Sequence, residues 1–280
     1  MTDPEPWITV AELPPGLDGE VLSLQLTARG VVHQIEGSGE RRLLRVARRE
    51  DIPTVLLVLR EYGRRAATAP PGLAAQARAV PVVVAVLLLG LAGALLVSFA
   101  PYLVPSLTFQ DFTLSGGGEL RLEPPGAAFA RGEYWRLLTP AFLHFGIFHI
   151  VFNALWIWEF GRRIEALVGP GNFLVIFLAT AIGANVGQYL WQPDSLFGGL
   201  SGVVYGLLGY IWVRHRLAPH SLLRLTPGIA PLMLAWLLLC LVGVVDWFIQ
   251  GGVANGAHVT GLLICAAFGA LAGVSARGRA

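Results

Sequence analysis

Two residues able to do chemistry stand where a chain this apolar has little use for them. Ser201 lies in Gly199-Leu200-Ser201-Gly202, within a stretch that carries no charge from Ser195 to Val213, and His258 lies in an equally apolar stretch near the C-terminus. Polar groups buried away from water cost free energy unless something pairs with them, and each of these two is a partner for the other. A serine hydroxyl becomes a nucleophile when a base takes its proton, and a neutral imidazole is the usual base. The pairing predicts nucleophilic hydrolysis in an apolar medium.

A second polar pair fits the same chemistry. His149 and Asn153 are four residues apart, so both project from one face of a helix otherwise made of Ile150, Val151, Phe152, Leu155 and Trp156. Amide hydrolysis passes through a tetrahedral oxyanion, which hydrogen-bond donors aimed in advance stabilise. The His149 imidazole, the Asn153 amide and the Ser201 backbone N–H are the expected donors, the alternative for His149 and Asn153 being an interhelical polar clamp. Tyr205, one turn after Ser201, is placed to pack its ring on the His258 imidazole. His144 is read as pointing elsewhere on the same helix as His149 and bonding within the preceding loop. No carboxylate stands out as a third catalytic member. Glu159 and Glu165 are read as a surface ion-pair network with Arg162 and Arg163, and the partner of Asp246 is not legible. A dyad is therefore expected, without metal or cofactor, since Cys240 and Cys265 lie in apolar spans and lack metal-type spacing.

These residues need elements to hold them. The 280 residues are 55% hydrophobic and 14% charged, with a mean hydropathy of +0.63, which excludes an ordinary soluble domain. Six charge-free runs lie between Arg78 and Asp111, Arg136 and Glu159, Glu165 and Asp194, Asp194 and Arg214, Arg224 and Asp246, and Asp246 and Arg277. Each is long enough to cross about 30 Å of hydrocarbon, which takes roughly 20 helical residues. The reading is an all-α polytopic membrane bundle of six transmembrane helices, at 80–101, 144–167, 171–190, 198–215, 229–248 and 256–275. On the fourth, Gly199, Gly202, Gly206 and Gly209 share a face. Such a stripe lets a neighbour approach closely, and Ala257, Gly261 and Cys265 beside His258 are the matching small set. By helical rise, Ser201 sits at most about 10 Å below the loop that holds Asp194.

The rest of the chain is organised around that bundle. Residues 1–65 read as a small cytosolic α+β domain: a hairpin from Val31–Glu36 and Arg42–Val46 through Gly37-Ser38-Gly39, with helices near 19–28 and 51–62. His33 in it is read as exposed or structural. Residues 66–79, rich in Ala and Pro, read as a linker, and 80–280 as the membrane domain. A loop of some forty residues between the first two spans holds Gly116-Gly117-Gly118 and Trp135-Arg136, an aromatic and basic pair that suits the headgroup level. The N-terminus shows no basic segment followed by an apolar core, so the first membrane helix is expected to act as the insertion signal. Arg162, Arg163, Arg214, Arg216, Arg224, Arg277 and Arg279 follow the second, fourth and sixth spans, against Arg121, Arg131 and Arg136 in the opposite loops. The positive-inside rule then puts both termini in the cytoplasm. The arginines are spread along the chain rather than gathered, which argues against nucleic acid as a partner.

In this order, the motifs resemble the rhomboid family of intramembrane serine proteases, most closely its six-helix bacterial, GlpG-like type. The resemblance rests on Trp135-Arg136, His144 with His149 and Asn153, Gly199-Leu200-Ser201-Gly202-Val203-Val204-Tyr205-Gly206, and Asn255-Gly256-Ala257-His258. It covers about residues 80–275. It implies Ser201 as nucleophile, His258 as base, and His149, Asn153 and the Ser201 amide as oxyanion donors. It further implies a site opening to the outer side of a bacterial inner membrane, membrane-protein substrates cut within a transmembrane segment, and lateral entry beside the second and fifth helices. One departure is that Gly261 is followed four positions later by Cys265 where the family often has glycine. The competing reading is a non-catalytic rhomboid-like protein that binds and triages membrane proteins. Such relatives generally lack the serine or the histidine, and this chain keeps both.

Overall fold

The computed structural model describes residues 7–13, 17–37, 42–68, 72–114, 119–247 and 252–278, for 62–68 and Asp246 as backbone alone. Expectations on Ser38, Gly39, Gly116-Gly117-Gly118, Arg279 and the Asp246 side chain fall outside these. The chain divides into two compact units, 1–72 and 73–280.

The first unit holds β1 (Ile8–Leu13), α1 (Gly19–Thr27), β2 (His33–Glu36), β3 (Arg42–Val46) and α2 (Ile52–Thr68). Strands β2 and β3 pair antiparallel with Ile35 opposite Leu44, and β1 adds to the far edge of β3. That first strand is absent from the sequence reading. Its register shifts between Thr9 and Ala11, which turns Val10 and Ala11 inward together and breaks the alternation by which strands are recognised. Asp18 accepts hydrogen bonds from the Glu20 and Val21 amides at 3.0 and 3.3 Å and so starts α1. Leu22, Leu26, Leu44, Val46, Val55 and Val58 form a fully buried core. His33 is structural, with Nε2 2.8 Å from Ser23 Oγ and Nδ1 3.0 Å from the Val31 carbonyl.

The second unit begins with α3 (Leu73–Ala79), so much of the stretch expected as a linker is helical. Then come α4 (Pro81–Phe99), β4 (Phe112–Leu114), β5 (Leu120–Leu122) and α5 (Pro125–Ala130). The remainder is α6 (Ile147–Trp156), α7 (Arg162–Val168), α8 (Pro170–Trp191), α9 (Ser201–Leu217), α10 (Ile229–Leu241) and α11 (Asn255–Arg277). Among the described residues, α4, α8 and α11 are each long and apolar enough to cross a membrane, and α10 is a shorter apolar helix. Several ends differ from expectation for local reasons. A π-helical turn at Ile157–Gly161 joins α6 to α7, and Gly169, at φ +83°, separates α7 from α8, which opens on Pro170. Helix α10 stops at Leu241, just before Gly243 at φ +77°.

Helix α9 is the axis of this unit. Every residue from Gly202 to Ile211 is buried, as expected of a helix apolar on all sides. The helices around it carry exposed Leu, Ile and Phe outward, including Leu88 and Leu95 on α4, Phe148 and Phe152 on α6, and Leu263 and Leu271 on α11. That distribution is inverted relative to a water-soluble fold.

Two charged groups expected at the surface are instead buried. Glu165 is 1% exposed and accepts from the Val82 and Val83 amides at 3.0 and 2.8 Å. It thereby satisfies donors that the first turn of α4 leaves free, and its charge complements the positive end of that helix. Only Glu159 pairs with Arg162 and Arg163. Replacing Glu165 with Ala is expected to lower unfolding stability by about 2 kcal/mol through two unsatisfied buried amides, and Gln, which keeps an acceptor, to restore part of it. Titration with a denaturing detergent, followed by circular dichroism, reads the difference. An unchanged midpoint for Ala would show that the bond carries no weight.

Arg136, expected at headgroup level, is 2% exposed. It donates to the Pro105 and Thr108 carbonyls at 2.5 and 3.0 Å and to Glu133 at 2.6 Å. The guanidinium thus ties the long loop into one piece. Hydrogen bonds from Arg131, and then Arg136, hold the Glu133 carboxyl below its ordinary value. Trp135 stays half exposed and donates to the Ser106 carbonyl at 3.0 Å.

Candidate active site

Ser201 is the first residue of α9, three residues later than the expected start, and the segment before it is held from outside. The Gly199 amide donates to the Pro140 carbonyl at 2.9 Å. The Leu200 amide donates to His144 Nε2 at 3.3 Å, and the opposite ring nitrogen lies 2.9 Å from the Phe142 carbonyl. Those two bonds define a neutral tautomer with the proton on Nδ1. His144 therefore precedes α6 rather than lying on it, and it anchors the turn that presents Ser201. Gly199 is likewise not part of the helical glycine stripe. Its φ of +110° is a conformation that side chains disfavour, and a Cβ there would lie 2.5 Å from His149 Nε2 and 3.6 Å from Asn153 Nδ2. Because residues 195–199 are not helical, helical rise does not set how far Ser201 lies from Asp194.

His258 occupies the first turn of α11, and its Nε2 is 2.8 Å from Ser201 Oγ. The imidazole is 5% exposed, and its Nδ1 has no hydrogen-bond partner among the described residues. Among the described residues, no carboxylate orients the ring. Contact does so instead: the Tyr205 ring centroid lies 4.7 Å away at 41°, and the Tyr205 hydroxyl donates to the Met233 carbonyl at 3.1 Å. The opening turn of α11 is held from both sides. Gln188 Oε1 accepts the Ala257 amide at 3.1 Å, and Asn255 Nδ2 donates to the Cys240 carbonyl at 3.0 Å.

Backbone contact brings α9 and α11 together. A Cβ at Gly202 would meet Ala184 at 2.8 Å and the Ala257 carbonyl at 3.1 Å, and one at Gly206 would meet the Gly261 carbonyl at 3.0 Å and Cys265 at 3.2 Å. A Cβ at Gly261 would overlap the Gly202 carbonyl oxygen. With Cys265 fully buried in this seam, its small thiol fills the place of the missing glycine.

His149 and Asn153 come from α6 toward the same place. Asn153 is 5% exposed, and its Nδ2 is buried with no hydrogen-bond partner. An unsatisfied donor here is costly at rest and is available to an incoming oxygen. The half-buried His149 ring packs edge-on against His144 with centroids 4.9 Å apart. As the first residue of α9, Ser201 also has a backbone amide for which no intrahelical carbonyl exists. His149 Nε2 and Asn153 Nδ2 thus both lie beside Gly199, two residues before Ser201.

Three supporting residues escaped the sequence reading: His144 as anchor of the Leu200 amide, and Gln188 and Asn255 as clamps on α11. A signal existed for the second. Asn185 and Gln188 are polar, three apart and buried in an otherwise apolar helix, and Asn185 Nδ2 reaches the Leu137 carbonyl at 2.9 Å. The Pro140 and Phe142 carbonyls carry no side-chain signature at all.

The Rhomboid domain family model matches residues 131–275. Rhomboid protease GlpG of Salmonella newport (strain SL254) and its namesake in Salmonella typhimurium (strain LT2) are each 41% identical over 149 residues, covering 52% of this chain and 51% of the relative. The chain spans about half the length of the curated relatives it matches. His149, Asn153, Ser201, Tyr205 and His258 all fall inside the matched segment, which takes in more than half of the sequence, and the chain belongs to the rhomboid family.

Proposed function

We propose that this chain is a serine endopeptidase that cuts transmembrane segments of membrane proteins within the bilayer, with Ser201 and His258 as its dyad. The observation that carries the reading is the 2.8 Å separation of Ser201 Oγ and His258 Nε2, together with an Asn153 Nδ2 that is buried near Gly199 and has no hydrogen-bond partner among the described residues. His258 takes the Ser201 proton as Oγ attacks the peptide carbonyl carbon. His149, Asn153 and the Ser201 amide meet the oxyanion, and His258 returns the proton to the leaving amine. Water, activated by the same imidazole, then adds to the acyl-enzyme and releases the acid and Ser201. Tyr205 holds the ring that a triad would hold by a carboxylate, while Gly199 and Gly202 leave room for the donors and for α11.

The membrane setting follows the same reading. α4, the α6 and α7 pair, α8, α9, α10 and α11 serve as six spans. Both termini face the cytoplasm of a bacterial inner membrane, residues 1–65 form a cytosolic domain, and the site opens to a water-filled cavity on the outer side. The substrate's own helix must unwind locally, because a carbonyl engaged in a helix is not open to attack. The test is cleavage of a single-span substrate carrying a helix-breaking stretch by purified protein in detergent. Product termini located by mass spectrometry are expected inside the span. Cuts confined to the soluble flanks would overturn the proposal.

Asn153→Ala is expected to lower kcat by about 10²- to 10³-fold with KM little changed, since the lost donor acts on charge that exists only in the transition state. Steady-state kinetics on that substrate decides it. A rise in KM at constant kcat would instead assign Asn153 to substrate binding.

A further inference from the structure

The end of α9 away from Ser201 carries a second feature that the dyad does not use. Arg216 lies fifteen residues beyond Ser201 on one helix, so the two are about 22 Å apart along its axis. There α9, the 218–228 loop and the start of α10 enclose an open cavity of about 450 Å³. Its lining includes basic residues, His215, Arg216 and Arg224. It also includes apolar residues, Trp212, Leu223 and Leu234, and no acidic residue lines it.

The cavity wall is built rather than loose. Arg163 Nη1 donates to the Leu222 and Arg224 carbonyls at 3.3 and 3.0 Å, Arg214 bonds to the Ala218 carbonyl, and Arg277 to the Leu217 carbonyl. Three arginines from α7, α9 and α11 thus donate to carbonyls of the loop and of the residue that ends α9. Arg216 and Arg224 differ. Both side chains are exposed, and neither meets a carboxylate among the described residues. The nearby acids are taken, Glu159 by Arg162 and Arg163 and Glu165 by the first amides of α4. The Arg216 guanidinium instead lies 5.9 Å from the centre of the Trp212 ring, where arginine and an interfacial aromatic meet at the level of lipid headgroups.

We infer that this cavity binds an anionic phospholipid, with the phosphate between Arg216 and Arg224 and one acyl chain along Trp212, Leu223 and Leu234. Unpaired arginines call for an anion, and free phosphate would meet them equally well. The apolar lining decides between the two, because only an anion that carries a hydrocarbon chain meets both the arginines and the apolar side chains. The inference depends on the membrane placement of α9 and not on the protease chemistry.

The experiment uses the purified full chain in detergent, titrated with phosphatidylglycerol, with phosphatidylcholine of the same chains, and with inorganic phosphate, binding being followed by native mass spectrometry. Phosphatidylglycerol is expected to bind at least about tenfold tighter than phosphatidylcholine. Arg216→Gln should weaken it about fivefold and the Arg216→Gln/Arg224→Gln pair about thirtyfold, while Arg121→Gln, a charge loss elsewhere, leaves it unchanged. Melting in lipid-free detergent checks that the double variant is folded, and the single Arg224→Gln serves if it is not. Equal binding of the two lipids, competition by inorganic phosphate at matched concentration, or an equal loss in Arg121→Gln would each overturn the inference.

Discussion

Ser201→Ala is expected to lower cleavage by at least about 10⁴-fold and to abolish labelling by a serine-reactive fluorophosphonate probe, with His258→Ala losing a comparable amount. The two act as one unit, since the hydroxyl is a weak nucleophile without a base and the base has nothing to activate without the hydroxyl. Their losses should therefore not add: the double variant falls no lower than either alone. Labelling separates the roles. Ser201→Ala has no oxygen to modify, whereas His258→Ala keeps the oxygen without its base and should label slowly. Cleavage that survives Ser201→Ala would exclude it as nucleophile. An intact Ser201 that neither labels nor cleaves any single-span substrate would favour a non-catalytic, binding role for the chain.

The second large effect is expected far from any polar atom. In Gly261→Val the new Cβ collides with the Gly202 carbonyl, which is backbone and cannot swing away, so α9 and α11 must separate. Ser201 and His258 both have short side chains and sit on those two helices at 2.8 Å, so a shift of about 1 Å breaks their bond. Loss of cleavage below about 1% of wild type is expected, with helical content by circular dichroism retained. Gly126→Ala, where an added Cβ meets nothing within 4 Å, is the matched control and should be silent. A Gly261→Val protein that labels and cleaves normally would mean that the close helix contact does not hold the dyad.

Much of this was legible in the chain itself. Apolar runs bounded by charge announce membrane helices because hydrocarbon tolerates neither unpaired charge nor broken backbone hydrogen bonding. Small residues at intervals of three and four announce the α9 and α11 seam because they are the only ones that admit backbone to backbone contact. Ser201, His258, His149 and Asn153 stood out because each is a polar group in an otherwise apolar run.

Tertiary structure decided what depends on groups that carry no side-chain label. Glu165 and Arg136 looked like surface charges, and both are buried because their partners are backbone amides and carbonyls on distant segments. His144 and Gly199 looked helical, and both belong to the irregular turn that starts α9, held by the Pro140 and Phe142 carbonyls. The bulged β1 was invisible because one extra residue destroys a two-residue period. By itself, the order of side chains pointed to the family and to an apolar setting. Position and orientation were left to the fold, because they are set by main-chain hydrogen bonds between segments far apart in sequence, and every residue offers that same pair of groups.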